Sequence, residues 1–202
     1  ALFPLIKKAA PLEQSLASFV DCFENGWQRM MAHKLGLEAA DEEAVADLVK
    51  PLPELLHAVE TDMTIFFRLL ANLDSTVDDP WENGARELMW PAYYETKQIT
   101  PEYDSQMGSW LKQYCRLLQT QGKPDSLRRD SMHAINPKYV LRNYLAQLAI
   151  DKAEAGDFSM VNELLQVLRK PYAEQPEFEQ YASKRPDWAR QRPGCSMLSC
   201  SS

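Results

Sequence analysis

The sequence predicts an all-α protein, and three observations lead to that prediction. Leucine and alanine, which favour helices, number 25 and 21, whereas the β-branched residues valine and isoleucine number only 8 and 5. The 202 residues include only 7 glycines, about half the usual share. Apolar residues recur every three or four positions along most of the chain, which is the period of a helix with one apolar face.

Length, charge and cysteine content narrow the class of protein. A chain of 202 residues suits one domain or a piece of a larger protein. Because the first residue is Ala and not Met, we expect either that the start has been processed or that upstream sequence is missing. The net charge of −7 argues against a nucleic-acid partner. No uncharged run approaches the ~18–20 residues that span a membrane, and four cysteines make no disulfide scaffold. We therefore expect a cytoplasmic protein without a membrane or nucleic-acid partner.

The first two-thirds of the chain reads as a series of helices separated by Pro, Gly and polar loops. The first and longest predicted helix carries apolar residues on one face between Leu12 and Met31 and ends near Gly36, a residue that commonly terminates helices. Acidic residues from Asp41 onward favour the start of the second helix. Further helices are predicted over residues 61–73, 81–91, 101–118 and 127–132.

A helical hairpin is predicted after residue 135. Asn136 and Pro137 suit an N-cap and a first helical turn, and Gly156 suits the end of that helix. Ser159 suits the start of a second, antiparallel helix that stops before Pro171. The residues predicted to face inward are Val140, Leu141, Tyr144, Leu145, Leu148 and Ala149 in the first helix, and Val161, Leu164, Leu165 and Leu168 in the second.

The final stretch lacks helical periodicity. Beyond Pro171 the aromatic residues Tyr172, Phe178, Tyr181 and Trp188 are predicted to anchor the chain on the helices. We divide the sequence into a helical region, residues 1–189, and a flexible cysteine-containing tail, residues 190–202.

The common catalytic motifs are absent from the sequence. The seven glycines are too widely spaced for a phosphate-binding loop, there is no His-Glu-x-x-His, and there is no Gly-x-Ser-x-Gly. We therefore assign no catalytic, cofactor-binding or metal-ligating residue in this chain, and expect no cofactor bound to it.

Two sets of charged residues could bind a ligand or could have ordinary surface roles. The acids Asp74, Asp78, Asp79 and Glu82 offer oxygen ligands for a hard cation, but they lack a calcium-loop pattern, so a solvated, helix-capping loop is favoured. The bases Lys138, Arg142, Arg128 and Arg129 could contact a phosphate or an acidic partner, but surface or ion-pair roles are favoured.

The cysteines fall into two pairs. Cys22 and Cys115 lie within apolar helical patterns and are predicted to be inert core residues, whereas Cys195 and Cys200 lie in the predicted tail. An exposed thiol is accessible to oxidation, so Cys200 and Cys195 are the candidate redox or disulfide residues, with an unimportant exposed thiol as the alternative.

An ordered series of short motifs runs through the C-terminal third of the chain. Residues 136–146 read Asn-Pro-Lys-Tyr-Val-Leu-Arg-Asn-Tyr-Leu-Ala, which is similar to a signature of the selenoprotein O family. The segments that extend the resemblance in the same order are Gly156-Asp157, Pro171-Tyr172, Glu174-Gln175-Pro176-Glu177, Tyr181-Ala182, Pro186, Trp188-Ala189 and the ending Cys200-Ser201-Ser202. Residues 2–6 and 61–70 are compatible with the family but less specific.

The resemblance implies a protein-kinase-like fold that transfers AMP from ATP to Ser, Thr or Tyr hydroxyls of proteins. The family's nucleotide-contacting Lys, its Glu partner and the Asn/Asp pair that holds magnesium belong upstream of the part matched here. We therefore expect this chain to be the helical C-terminal part, with ATP and magnesium held by the whole protein. Its expected partners are the upstream kinase-like region and protein substrates.

By the same resemblance, Cys200 is the C-terminal redox residue, which in the family can pair with a cysteine near the active site. It could also be free, or pair with Cys195. The family often has Cys-x-x-Cys at this end, whereas Met197 stands three residues before Cys200 here. Two other functions remain open, namely a non-enzymatic helical interaction module and a thiol-redox protein.

Overall fold

The computed structural model describes residues 9–38 and 42–195, and within these ranges it confirms the all-α prediction. The helices are α1 (Ala10–Lys34), α2 (Glu42–Val49), α3 (Leu52–Ala58), α4 (Met63–Leu70), α5 (Arg86–Met89), α6 (Pro101–Gln121), α7 (Asp125–Ile135), α8 (Asn143–Glu154) and α9 (Ser159–Leu168). Short 3₁₀ turns also occur, and Thr61 and Tyr93 form an antiparallel bridge.

The buried side chains form two separate hydrophobic clusters. The first extends from Met31 to Met132 and lies in what we call the helical body, residues 9–136. The second extends from Tyr139 to Cys195 and lies in the C-terminal unit, residues 137–195, which is built on the α8–α9 hairpin. The two units therefore have cores of their own and meet through other contacts.

Helix α6 crosses the middle of the helical body, and its aromatic residues bind the backbone of neighbouring elements. The indole of Trp110 donates to the carbonyl of Leu48 at 2.8 Å, and the hydroxyl of Tyr114 donates to the carbonyl of Leu35 at 2.7 Å. Thr100 accepts from the amide of Tyr103 at the start of α6, and Gly122 ends the helix with φ +66°. These contacts fix α6 against the C-terminal end of α2 and against the residue that follows α1.

A fully buried arginine ties α7 to the end of α4. The guanidinium of Arg128 pairs with Asp125 at 3.0 Å and donates to the carbonyls of Leu70 and Leu73 at 3.3 and 2.5 Å. It also donates to the hydroxyl of Tyr114 at 3.2 Å. The buried charge is tolerated because it is paired and its donors reach the carbonyls that α4 leaves free at its C-terminal end.

The hairpin prediction is correct in outline but wrong at its start. Helix α8 begins at Asn143, not at Asn136, and Leu141 is exposed. The amides of Lys138 and Tyr139 both donate to the carbonyl of Pro171, at 2.8 and 3.1 Å, so the chain there is held by tertiary hydrogen bonds instead of helical ones. Tertiary contacts override the local N-cap signal.

Three further predictions are wrong. Val161 and Leu165 are exposed, and the residues of α9 that face the core are Met160, Leu164 and Val167. The predicted helix over residues 81–91 is interrupted at Asn83 and Gly84, whose backbone angles are not helical. Cys22 is exposed, because most of α1 projects beyond the body and only Met31 and Ala32 in this helix are buried.

Among the described residues, the structure has no helix with the length and apolar character that crossing a membrane requires.

We predict that Gly36→Ala destabilises the fold by roughly 1–3 kcal/mol, because its φ is +70° and the added Cβ would lie 2.7 Å from Cγ of the buried Arg128. Gly122→Ala is the matched control, with φ +66° and open space around the Cβ, and should cost only about 1 kcal/mol. Urea unfolding followed by circular dichroism measures both. Equal losses for the two variants would contradict the packing described for Gly36.

Candidate functional site at the junction of the two units

Charged side chains from both units meet where the C-terminal unit contacts the helical body, a region that we call the junction. At the centre of the junction, the side chain of Asp62 is 2% exposed and pairs with Arg142. The Nη1 and Nη2 atoms of Arg142 donate to the two carboxylate oxygens at 2.5 and 3.1 Å. The hydroxyl of Tyr94 donates to the same carboxylate at 3.1 Å, and so does the amide of Ile65. Asp62 is therefore the N-cap of α4 and the anchor of the junction at once.

The ring of Tyr94 is surrounded by cationic side chains of the C-terminal unit. The charged groups of Lys184, Arg185 and Arg190 lie 5.7, 5.1 and 5.5 Å from its centroid. Glu60 neutralises both arginines at 2.7 Å. Burial, and then the Asp62 charge, raise the pKa of the Tyr94 hydroxyl, so it stays a proton donor at neutral pH.

A second charged group lines a groove of about 280 Å³ on the other side of α4. Arg68 donates to the carbonyls of His133 and Asn136 at 3.4 and 3.3 Å and pairs with Glu174. Lys138 pairs with Glu174 at 2.6 Å and with Glu179 at 2.7 Å. Both cations are thus neutralised by carboxylates of the same protein.

The titration properties of this group follow from its pairing. Burial disfavours the charged form of Lys138, but its hydrogen bonds to the two glutamates outweigh this and raise its pKa. The hydrogen bond from Lys138 lowers the pKa of Glu174. Burial and the neighbouring Arg68 lower the pKa of His133, so its imidazole is neutral at pH 7. An anionic ligand in this groove would have to displace a carboxylate.

The junction is an interlocking contact whose polar groups bind one another. Both oxygens of Asp62 accept hydrogen bonds, and the carboxylates of Glu174 and Glu179 each pair with Lys138. The sequence predicts ion-pair roles for Arg142 and Lys138, but we did not predict from it that the partner of Arg142 in this junction is Asp62. Its signal was an Asp directly before an apolar helical run, which is typical of an N-cap.

The acidic loop serves the local fold. Asp74 accepts from the amide and the hydroxyl of Thr76, which together lower its pKa, and Asp79 pairs with Lys112 at 2.8 Å. The side chain of Asn83 donates to the carbonyls of Asp78 and Asp79. Over residues 9–38 and 42–195, no three His, Cys, Asp or Glu side chains converge as metal ligands would.

Of the two candidate redox cysteines, only Cys195 lies among the described residues. Cys195 is buried in the second hydrophobic cluster as a free thiol, which corrects the expectation that it is exposed. It shares this cluster with Leu145 of α8 and Leu164 of α9. Cys200 lies outside the described residues. Cys115 is buried in the body as predicted, and burial raises its pKa to about 11.

Comparison with known proteins identifies the family. The model of the protein adenylyltransferase SelO family matches residues 1–169. The chain belongs to this family. All of it is 51% identical to a protein nucleotidyltransferase YdiU of Rhodopirellula baltica, and it covers 39% of that protein. Relatives of the same name from Nitrosospira multiformis and Aromatoleum aromaticum are 42% and 46% identical, with 39% and 37% covered. The chain thus spans less than two-fifths of the length of these SelO-family relatives.

We predict that Arg142→Met destabilises the protein by about 3–5 kcal/mol, because it leaves the buried Asp62 carboxylate without its cation. Lys112→Met is the matched control, since it breaks the exposed pair with Asp79 and should cost less than about 1 kcal/mol. Urea unfolding gives both values. A similar, small loss for both variants would show that the Asp62–Arg142 pair does not hold the junction.

We predict that iodoacetamide modifies Cys22 rapidly in the native protein and modifies Cys115 and Cys195 only in denaturant, because only the first thiol is exposed. Peptide mass spectrometry assigns each site. Modification of Cys195 as fast as that of Cys22 would contradict its burial.

Proposed function

We propose that this chain is the helical C-terminal part of a protein adenylyltransferase with a protein-kinase-like fold. The match of residues 1–169 to the SelO family is the observation that carries the proposal. In this proposal the complete protein transfers AMP from ATP to hydroxyl groups of protein substrates in the cytoplasm. The chain itself supports the catalytic region and supplies no reacting group.

ATP and magnesium belong, in this proposal, to the part of the protein that the chain does not cover. About three-fifths of each of these relatives has no counterpart here. AMP transfer needs a cation, a lysine and a metal-binding pair placed around the triphosphate. The charged groups at the junction do not offer these, because Arg142, Arg68 and Lys138 are each paired with a carboxylate. That pairing supports a scaffolding role.

A redox role for the C-terminal tail is the remaining element of the proposal. We retain the division into a helical region, residues 1–189, and a tail, residues 190–202, of which Arg190, Arg192 and Cys195 make tertiary contacts. Since Cys195 packs in the second cluster, the redox role falls on Cys200, with a disulfide partner near the catalytic region.

The experiment uses ATP labelled on either the α- or the γ-phosphate, with magnesium, and two proteins. One is the full open reading frame that contains this chain, and the other is the 202-residue chain. We predict that only the full protein becomes labelled, or labels a protein acceptor, and only from the α-phosphate, since AMP retains that phosphorus.

Each other outcome rejects a distinct part of the proposal. Labelling by the 202-residue chain would place the catalytic residues within it. Labelling of the full protein from the γ-phosphate would indicate a kinase. A reading frame that begins at this chain would favour the non-enzymatic interaction module.

A further inference from the structure

Helix α1 presents a continuous apolar surface to solvent. We call this surface the exposed stripe, and its members are Leu16, Phe19, Val20, Phe23, Trp27 and Met30. The side chains of Leu16, Phe19 and Phe23 are 66%, 64% and 59% exposed. At about 100° per residue, all six lie within about 100° of the helix circumference, and they extend for about 21 Å along its axis. This helix packs only near its C-terminal end, and a folded monomeric protein rarely leaves such a continuous apolar surface exposed to solvent.

The exposed stripe continues into a groove in the helical body. At its C-terminal end, Trp27 and Met30 line an apolar groove of about 350 Å³ together with Leu56, Met63 and Phe67. Met63 is itself 60% exposed. The stripe and the groove therefore form one surface that spans α1, α3 and α4.

The charge of α1 argues against a membrane as the occupant of this surface. The helix has three acidic residues, Glu13, Asp21 and Glu24, against two basic ones, Arg29 and Lys34. Helices that lie on membrane surfaces are rich in Lys and Arg on the polar face. A protein surface suits this helix better.

A segment of the same polypeptide suits this surface better than a second copy of the chain does. Stable interfaces between separate proteins bury about 800 Å² on each partner. A segment of the same polypeptide needs less area, because its tether gives it a high effective concentration.

We propose that the exposed stripe is the surface on which the upstream catalytic region packs, an inference that rests on the proposed function. Three-fifths of the length of the relatives lies outside this chain. Helix α1 is the first described element, so residues that precede the chain in a longer protein enter at this side of the molecule. The stripe is then a buried interface between the catalytic region and the helical body.

The test places the photo-crosslinker p-benzoylphenylalanine at position 19 or position 25 of the full-length protein. Phe19 lies on the stripe, and Asn25 lies on the opposite, exposed face of α1 and serves as the matched control. We predict that position 19 crosslinks to residues upstream of Ala1 in the same polypeptide and that position 25 does not. Hydrogen exchange of the amides in residues 12–27 should be about tenfold slower in the full-length protein than in the 202-residue chain.

A pair of variants provides a second measurement. Phe19→Ser combined with Phe23→Ser should lower the melting temperature of the full-length protein and leave that of the 202-residue chain nearly unchanged, because these side chains are exposed in the latter. Cys22→Ser, at an exposed position off the stripe, should be neutral in both proteins.

Three results would overturn the inference. They are crosslinks from position 19 between isotopically distinguished copies, equal exchange rates in the two proteins, and equal effects of the double variant in both. The α-labelled ATP assay on the same full-length preparation separates the two proposals. Transfer of AMP with an unprotected stripe rejects the docking surface alone, whereas a protected stripe without AMP transfer rejects the enzymatic function alone.

Discussion

The ion pair between Asp62 and Arg142 is the contact on which the arrangement of the two units depends. The hydrophobic clusters lie on either side of it and share no members, so burial of apolar area stabilises each unit separately. Several ion pairs join the units, and at their centre the Asp62 carboxylate caps α4 and accepts hydrogen bonds from both terminal nitrogens of Arg142 and from the hydroxyl of Tyr94. Directional contacts of this kind specify a single orientation, which a smooth apolar interface would not.

The charged groups at the junction are paired with one another, and this pairing is consistent with the proposed scaffolding role. A catalytic carboxylate or lysine needs an unoccupied side facing a substrate. Here Arg68 and Lys138 share Glu174, and the pairing leaves the groove beside them electrically balanced. The exposed stripe of α1, in contrast, is an apolar surface that another element can bind. The proposed scaffolding role accounts for both observations, since the two units are joined by charged pairs and the exposed stripe offers apolar area to the proposed catalytic region.

The all-α class, the end of α1 near Gly36 and the start of α6 at Pro101 could be predicted, since periodicity, glycine and capping residues are local signals. The start of α8 could not, because Asn136 and Lys138 bind Lys34 and Pro171, which are far away in sequence. Nor could the sequence distinguish the buried Leu164 from the exposed Leu165, since both fit helical spacing. One partner of the central ion pair, Arg142, could be predicted as an ion-pair residue. Its partner Asp62 could not, because pairing across 80 residues leaves no pattern in the sequence.

Native-state hydrogen exchange of the 202-residue chain tests most directly whether the junction joins two otherwise separate units. The account predicts that the slowest amides of α8 and α9 open with the same free energy as those of α6, since the units unfold together. It further predicts that loss of the Arg142 charge lowers the opening free energy of α8 and α9 selectively. Independent opening of α8 and α9 in the unmodified protein, at a free energy well below that of α6, would contradict the account.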